Sequence, residues 1–153
     1  MRSYDVPGGQ RLELEHLVLD LNGTLSDRGS LIAGVEERLR RLSVDLDLHL
    51  VTADTRGTAA RLAAELPVSI SPITRGSEKA AFVQRLGAGR TAAIGNGRND
   101  EAMLRAAALG MAVVGPEGAA TAAMLAADLV TNSVVDALDL LLDPATLAST
   151  LRP

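Results

Sequence analysis

Short apolar runs alternate along the chain with stretches in which apolar residues recur every three or four positions. The segment 17–20 reads Leu-Val-Leu-Asp, which is typical of a buried strand, whereas 34–43 has the spacing of an amphipathic helix. Strands of this kind are predicted at 17–20, 46–52, 68–70, 91–94, 111–114 and 128–130. Helices are predicted at 34–43, 56–66, 77–86, 99–108, 117–126 and 134–142. This alternation indicates an α/β fold, in which helices cover both faces of a parallel sheet.

Two segments lie outside this alternation. Residues 11–15 alternate between leucine and charged residues, and the Pro-Gly-Gly sequence at 7–9 is a turn signal. We therefore expect residues 2–6 and 11–15 to form a β-hairpin. Residues 145–151 are expected to add a last helical turn.

Composition narrows the class of protein. The chain has 153 residues, 47% of them apolar, and is predicted to form one domain over 1–153, with 1–15 as an N-terminal extension. Its net charge of −4 and its single Phe, single Tyr and lack of Trp argue against a nucleic-acid partner. The absence of cysteine excludes disulfides and thiolate chemistry.

The longest apolar stretch, 106–115, is too short to span a bilayer, and the first residues show no apolar leader. We expect a cytoplasmic protein with no membrane partner.

A candidate nucleophile stands at the end of the first buried strand. Asp20 follows the apolar run 17–19, and Gly23 allows the chain to turn tightly after it. In an open α/β sheet, ligands bind at the carboxyl ends of the strands. An aspartate in that place can accept a phosphoryl group, as in enzymes that form an aspartyl-phosphate.

Three further segments with suitable chemistry occur at predicted strand ends or helix starts. Thr52 ends a strand, Lys79 lies in the first turn of a helix, and the glycine-rich loop 95–100 joins a strand to a helix. The backbone amides of such a loop and a helix N-terminus both favour an anion. Together with Asp20, these segments supply the nucleophile and the hydroxyl, ammonium and carboxylate groups that phosphoryl transfer requires.

In this order, Asp-x-x-Gly-Thr at 20–24, the strand-end threonine, the lysine and Gly-x-Gly-x-Asn-Asp at 95–100 resemble the motifs of the haloacid dehalogenase (HAD) superfamily. The resemblance extends over residues 11–142 and is strongest to small soluble proteins related to the phosphorylation domain of P-type ATPases. It implies a three-layer Rossmann-like fold with a mainly parallel sheet. The stretches between the motifs have room only for ordinary crossover elements, so we expect no cap domain.

The resemblance implies a metal site and a nucleophile. Asp20 would be the nucleophile and a ligand of Mg²⁺, the implied cofactor, and the backbone carbonyl of Asn22 would bind the same ion. Asn96 stands where the loop motif usually supplies a metal-binding aspartate. Asp100 would support the metal, directly or through water.

The resemblance also implies a phosphate site. Thr52 would hold a phosphoryl oxygen together with the nearby amide of Ala53, and Lys79 would neutralise charge on the nucleophile and the phosphate. Asn99 would orient the loop at the phosphate. Asp54 matches a Thr-x-Asp spacing of P-type ATPases, and its role is left open between structure and catalysis.

Two residues depart from the pattern of many HAD phosphatases. Asn22 replaces an aspartate that acts as general acid and base, and an amide cannot titrate; such assistance is worth about 10²–10⁴ in rate. Asn96 replaces a charged metal ligand, so its Mg²⁺ affinity should be lower. The main hypothesis is a Mg²⁺-dependent phosphohydrolase that acts through an aspartyl-phosphate, with low activity as one consequence of these asparagines.

Two alternatives stay open at the level of the sequence. The first is a weak or inactive relative that binds a phosphorylated ligand or a protein partner, and the second is a phosphoacceptor switch that keeps the phosphate on Asp20. The expected partner is a phosphorylated small molecule or macromolecule. Without a cap, a homo-oligomer could also cover the site.

Overall fold

The computed structural model describes residues 1–73 and 75–153. In chain order, the strands are β1 (Arg2–Asp5), β2 (Arg11–Leu14), β3 (His16–Asp20), β4 (Ser26–Asp27), β5 (Ser30–Leu31), β6 (Asp47–Thr52), β7 (Val68–Pro72), β8 (Thr91–Gly95), β9 (Leu109–Val113) and β10 (Leu129–Thr131). The helices are α1 (Val35–Leu42), α2 (Thr58–Glu65), α3 (Gly76–Leu86), α4 (Glu101–Ala106), α5 (Thr121–Ala126), α6 (Val134–Leu142) and α7 (Pro144–Leu151). Short 3₁₀ turns at Ala88–Arg90 and Arg98–Asp100 precede β8 and α4.

Six strands form one parallel sheet in the order β10-β9-β8-β3-β6-β7. The strand β3 lies between β8 and β6, and its register places Asp20 beside Val51 and Leu19 beside Ile94. From β3 the chain builds outward through β6 and β7, and then crosses to β8 on the other side of β3. This reversal leaves a crevice at the carboxyl ends of β3 and β8, which is where ligands bind in open α/β sheets.

The strands divide their side chains between two cores, because successive residues of a strand point to opposite faces. In β3, Leu17 and Leu19 pack into a core with α1, α2 and α6, whereas Val18 packs into a second core with α3, α4 and α5. Both cores are mainly aliphatic. The predicted three-layer α/β fold is therefore confirmed, with helices on both faces of a parallel sheet.

Three elements differ from the prediction. The strands β4 and β5 form a small antiparallel hairpin whose turn has positive φ at Arg28 and Gly29; two-residue strands have no periodicity that a sequence could reveal. The expected last turn is a complete helix, α7. The predicted helix over 117–126 is wrong at its start, because 117–120 lie in a turn and an extended segment before α5.

The crossovers between the site strands are short. Between β3 and β6 the described residues form β4, β5 and α1, and between β6 and β7 they form α2, so neither connection holds an inserted domain. None of the helices in the described part of the chain is long and apolar enough to cross a lipid bilayer.

The predicted N-terminal hairpin is confirmed and is attached to the domain through Tyr4. The strands β1 and β2 pair antiparallel, with Asp5 opposite Arg11. The side chain of Tyr4 is fully buried, and its hydroxyl donates a hydrogen bond of 2.8 Å to the carbonyl oxygen of Leu141. Leu141 lies in the last turn of α6, so no amide of that helix donates a hydrogen bond to its carbonyl oxygen. The hydroxyl of Tyr4 is the donor instead.

Replacing Tyr4 with Phe tests this attachment. The ring stays in place but the buried carbonyl of Leu141 loses its donor, so we expect the free energy of unfolding to fall by about 1–3 kcal/mol in urea denaturation. Ser43→Ala is the matched control, because the Ser43 hydroxyl donates to the carbonyl of Arg40 near a helix end but is exposed to water. Its loss should stay below about 0.5 kcal/mol. Equal losses in the two variants would contradict the role assigned to Tyr4.

Candidate active site

The predicted site residues meet at the carboxyl ends of the central strands. Asp20 is the last residue of β3, Thr52 is the last residue of β6, and the loop 95–100 follows β8. Lys79 comes from α3, the helix that carries the chain from the edge strand β7 to β8. The site therefore lies at the topological switch point of the sheet.

Lys79 joins the two carboxylates of the site. Its Nζ donates a 2.9 Å hydrogen bond to Oδ1 of Asp20 and a 2.7 Å hydrogen bond to Oδ1 of Asp100. The lysine side chain is only 2% exposed, and it is the only lysine among the 15 lysine and arginine residues of the chain. A buried ammonium between two carboxylates offsets their mutual repulsion and satisfies one oxygen of each.

This arrangement shifts the pKa values of both partners. Burial and the nearby charge of Asp100 raise the pKa of Asp20 to about 6, against the opposing effect of Lys79 and the hydrogen bond from Thr24. Burial by itself lowers the pKa of Lys79, but the two carboxylates outweigh it and the net pKa is raised. Lys79 is thus charged at neutral pH, and Asp20 is ionised above about pH 6.

Asp100 is bound to the backbone of the loop that follows β8. Its side chain is fully buried, and its Oδ2 accepts hydrogen bonds from the backbone amides of Asn96 and Gly97 at 3.0 and 2.9 Å. Gly95 makes this possible, since a Cβ there would lie 2.5 Å from Cγ of Asp100. The carboxylate of Asp100 fixes the loop and Lys79 at the same time.

The hydroxyl of Thr24 connects β3 to the loop after β8. It lies 3.1 Å from Oδ2 of Asp20 and 3.1 Å from Oδ1 of Asn96, and its single hydrogen is shared between these two acceptors. Thr24 is fully buried. The sequence motif includes this threonine, but its contact with Asn96 depends on two segments that are distant in the chain.

An open polar pocket of about 250 Å³ lies above these groups. Its lining includes seven of the eight predicted site residues: Asp20, Asn22, Thr52, Ala53, Lys79, Asn96 and Asn99. The eighth, Asp100, is fully buried and does not line the pocket. The lining also includes Glu117, which sequence reasoning missed because the predicted helix placed it on a regular helical surface. A glycine-flanked turn signal at 115–118, directly after an apolar strand, could have identified it.

Asp54, whose role the sequence left open, is engaged within its own loop. Its amide donates to Oγ1 of Thr52 at 3.3 Å, and its carboxylate accepts a 2.9 Å hydrogen bond from the amide of Arg56. These contacts shape the turn after β6.

The oxygen atoms around the pocket are suitable ligands for a hard cation such as Mg²⁺. Asp20 offers a carboxylate, Asn22 a backbone carbonyl and Asn96 an amide oxygen, which are the oxygen ligands that Mg²⁺ takes in proteins. In the described residues, no group of three or more histidine, cysteine, aspartate or glutamate side chains is placed to hold a metal ion. The residues present therefore fit an ion that keeps several of its water ligands, and fit poorly an ion that needs a complete protein cage.

Solved structures share this fold. The 3-deoxy-D-manno-octulosonate 8-phosphate phosphatase of Moraxella catarrhalis, in complex with magnesium, phosphate and the sugar acid KDO, is 20% identical with a TM-score of 0.70, over 89% of this chain and 92% of that one. The cobalt-bound deoxy-D-mannose-octulosonate 8-phosphate phosphatase (YrbI) of Haemophilus influenzae is 16% identical with a TM-score of 0.68, over 92% and 94%.

A zinc-transporting PIB-type ATPase also matches, at 24% identity and a TM-score of 0.64, over 78% of this chain but 20% of the ATPase. At these identities, the likeness shows the fold. The chain therefore has the HAD-like fold without a cap that the sequence motifs predict.

Comparison of the sequence with curated proteins gives a match over a shorter part of the chain. An uncharacterised protein of Methanocaldococcus jannaschii, MJ0073, is 50% identical over 60 residues, which are 39% of this chain and 64% of that protein. The match thus spans less than two thirds of that curated relative. No protein-family model matches the chain.

Replacing Lys79 with Met tests the buried bridge. The variant keeps most of the side-chain volume but leaves two buried carboxylates without a cation, so we expect the free energy of unfolding to fall by about 3–5 kcal/mol near pH 8. Lys79 opposes the rise in the pKa of Asp20, so without the ammonium that pKa rises further in the folded state. A carboxyl whose pKa is raised on folding stabilises the protein at low pH and loses this effect as the pH rises. The deficit should therefore shrink between about pH 8 and pH 5.

Urea denaturation of wild type and variant in the presence of a chelator measures this deficit. Arg105→Met is the matched control, because Arg105 pairs with Glu101 on the surface of α4 and its side chain is 65% exposed. Its effect should be within about 0.5 kcal/mol at every pH. A Lys79→Met deficit that does not change with pH would show that the two carboxylates do not depend on the ammonium.

Proposed function

We propose that this protein is a Mg²⁺-dependent phosphohydrolase that acts through an aspartyl-phosphate on Asp20. The observation that carries the proposal is the Asp20 carboxylate itself, which stands in an open polar pocket with the Lys79 ammonium 2.9 Å away. Thr52 also lines the pocket, where its hydroxyl can donate to a phosphoryl oxygen. The shared fold with phosphatases supports the same class of reaction.

The chemistry needs two displacements at phosphorus. In the first, a carboxylate oxygen of Asp20 forms a bond to phosphorus while the bond to the ester oxygen breaks, and the leaving alcohol takes a proton from water. In the second, water attacks the aspartyl-phosphate, which releases inorganic phosphate and restores the carboxylate. Lys79 stays charged through both steps and stabilises negative charge on the phosphoryl oxygens.

Different residues of the pocket would bind the cation and the phosphate. Asp20, the carbonyl of Asn22 and the amide oxygen of Asn96 would hold the divalent cation, and the Thr52 hydroxyl and Ala53 amide would bind phosphoryl oxygens. When bound, the cation would neutralise charge on the phosphate and lower the pKa of Asp20. Asp100 positions Lys79 and the loop.

Asn22 sets the limit on the rate. Asn22 lines the pocket and stands where the sequence motif of many phosphatases has a general acid, and an amide has no proton to give at neutral pH. We therefore expect esters with good leaving groups, such as aryl phosphates, to react much faster than alkyl phosphates.

The open pocket bears on the substrate. No domain is inserted over it, so a phosphate on a small molecule or at the surface of a macromolecule can reach Asp20, and a second copy of the chain could cover the opening. A second candidate function is binding of a phosphorylated ligand without turnover, which the neutral side chains of Asn22 and Asn96 favour.

Asp20→Asn should abolish the reaction. An amide cannot attack phosphorus, so Mg²⁺-dependent phosphate release from an aryl phosphate should fall at least about 10³-fold and reach background. The control is Asp136→Asn, an exposed change at the start of α6, which should retain wild-type rates. Full activity in Asp20→Asn would contradict the nucleophile. Release by neither wild type nor variant, with inorganic phosphate still bound, would support the binding function instead.

Asn22→Asp should raise turnover, because it restores a group that can protonate the leaving oxygen and activate water. We expect a gain of about 10²-fold for an alkyl phosphate and a smaller gain for an aryl phosphate, whose leaving group needs less assistance. Steady-state rates for both esters at saturating Mg²⁺ measure the difference. A folded, Mg²⁺-binding variant with unchanged rates would show that the missing carboxylate does not limit the site.

A further inference from the structure

The turn between β9 and α5 carries a carboxylate to the pocket. Residues 115–118 form a turn in which the amide of Gly118 donates to the carbonyl of Gly115 at 3.2 Å. The amide of Gly115 donates in turn to the carbonyl of Asn132 at 3.3 Å, which ties the start of the turn to the chain after β10. Glu117 lies at this turn and lines the pocket that contains Asp20.

Asn96 holds this turn through both its backbone and its side chain. Its carbonyl accepts a 2.8 Å hydrogen bond from the amide of Ala120, and its Nδ2 donates a 3.2 Å hydrogen bond to the carbonyl of Gly118. Only an amide can serve in this way while its other atom, Oδ1, accepts from Thr24. An aspartate at 96 would place an oxygen against the Gly118 carbonyl and loosen the turn.

Gly23 leaves the space into which the glutamate reaches. A Cβ on Gly23 would lie 2.2 Å from Oε2 of Glu117 and 2.8 Å from Nδ2 of Asn96. The glutamate carboxylate thus occupies the volume that a side chain at 23 would fill, directly next to the peptide of Asn22. Gly23 also has a φ of 74°, so other residues would be strained there in addition to displacing Glu117.

Glu117 adds a negative charge where the loop lacks one. The carboxylates of Asp20 and Asp100 both accept from Lys79, and that of Asp100 also accepts from backbone amides. Asn22 and Asn96 contribute oxygens without charge. Of the residues that line the pocket, Asp20 and Glu117 are the two acidic ones.

We propose that Glu117 is an outer ligand of the divalent cation, whose carboxylate accepts hydrogen bonds from water molecules that the ion retains. In this way the turn at 115–118 replaces the charge that is absent at Asn96, and Asn96 serves as the anchor that positions its substitute. The proposal rests on the proposed function only in its use of the same cation site. Outer carboxylates of this kind contribute about 10–100-fold to metal affinity.

The test is Mg²⁺ affinity in the absence of substrate. Isothermal titration with MgCl₂, and electron paramagnetic resonance of bound Mn²⁺, compare wild type with Glu117→Gln. We expect the variant to bind either ion at least about 10-fold more weakly. Glu101→Gln is the matched control: it removes the same charge one residue from Asp100, on an exposed helix surface, and should bind within about twofold of wild type.

A double variant tests whether the loss of Mg²⁺ affinity comes from the missing charge or from a changed shape of the turn. Asn96→Asp combined with Glu117→Gln returns a carboxylate to the loop and should regain most of the lost affinity. Equal affinity of wild type and Glu117→Gln would overturn the proposal, as would equal losses in Glu117→Gln and Glu101→Gln or failure of the wild type to bind either ion. If the wild type binds Mg²⁺ through Glu117 but releases no phosphate from any ester, the proposed hydrolysis fails and this inference stands.

Discussion

The buried ammonium of Lys79 is the interaction on which the site depends. It brings together Asp20 from the central strand and Asp100 from the loop after β8, two carboxylates that would otherwise repel each other in a region of low dielectric constant. A single cation thereby connects β3, α3 and the glycine-rich loop. The crossover through α3 carries this lysine from the edge of the sheet to both carboxylates, so the sheet order and the charge arrangement support each other.

Few of the side chains around this bridge are acidic: of the residues that line the pocket, Asp20 and Glu117 are the two with carboxylates. Lys79 balances one of its two carboxylates, and Asn22 and Asn96, which also line the pocket, carry no charge. The amide at 96 makes contacts that a carboxylate could not make, since it donates to the Gly118 carbonyl while it accepts from Thr24. The neutral side chain of Asn96 is thus part of a hydrogen-bond network and is not simply a missing charge.

Regular elements were predictable because their physical cause is local. The apolar run before Asp20 and the helical spacing in 34–43 correspond closely to β3 and α1, and the hairpin at the N-terminus follows from its turn signal. The hairpin β4–β5 and the turn at 115–118 were not predicted. The first is too short to show periodicity. In the second, the alanine-rich segment that follows favours a helix, whereas Gly115 and Gly118 form a turn before it.

The sequence by itself determined the fold class, the order of the strand-end motifs and the identity of most groups at the pocket, because hydrophobic periodicity and residue type are properties of the chain. Only the tertiary structure decided how those groups are used. Asp100 is fully buried with both oxygens engaged, Thr24 shares its proton between two segments, and Glu117 enters beside Gly23. Such roles depend on distances between residues far apart in sequence, and those distances exist only after the two cores have packed the sheet and its helices together.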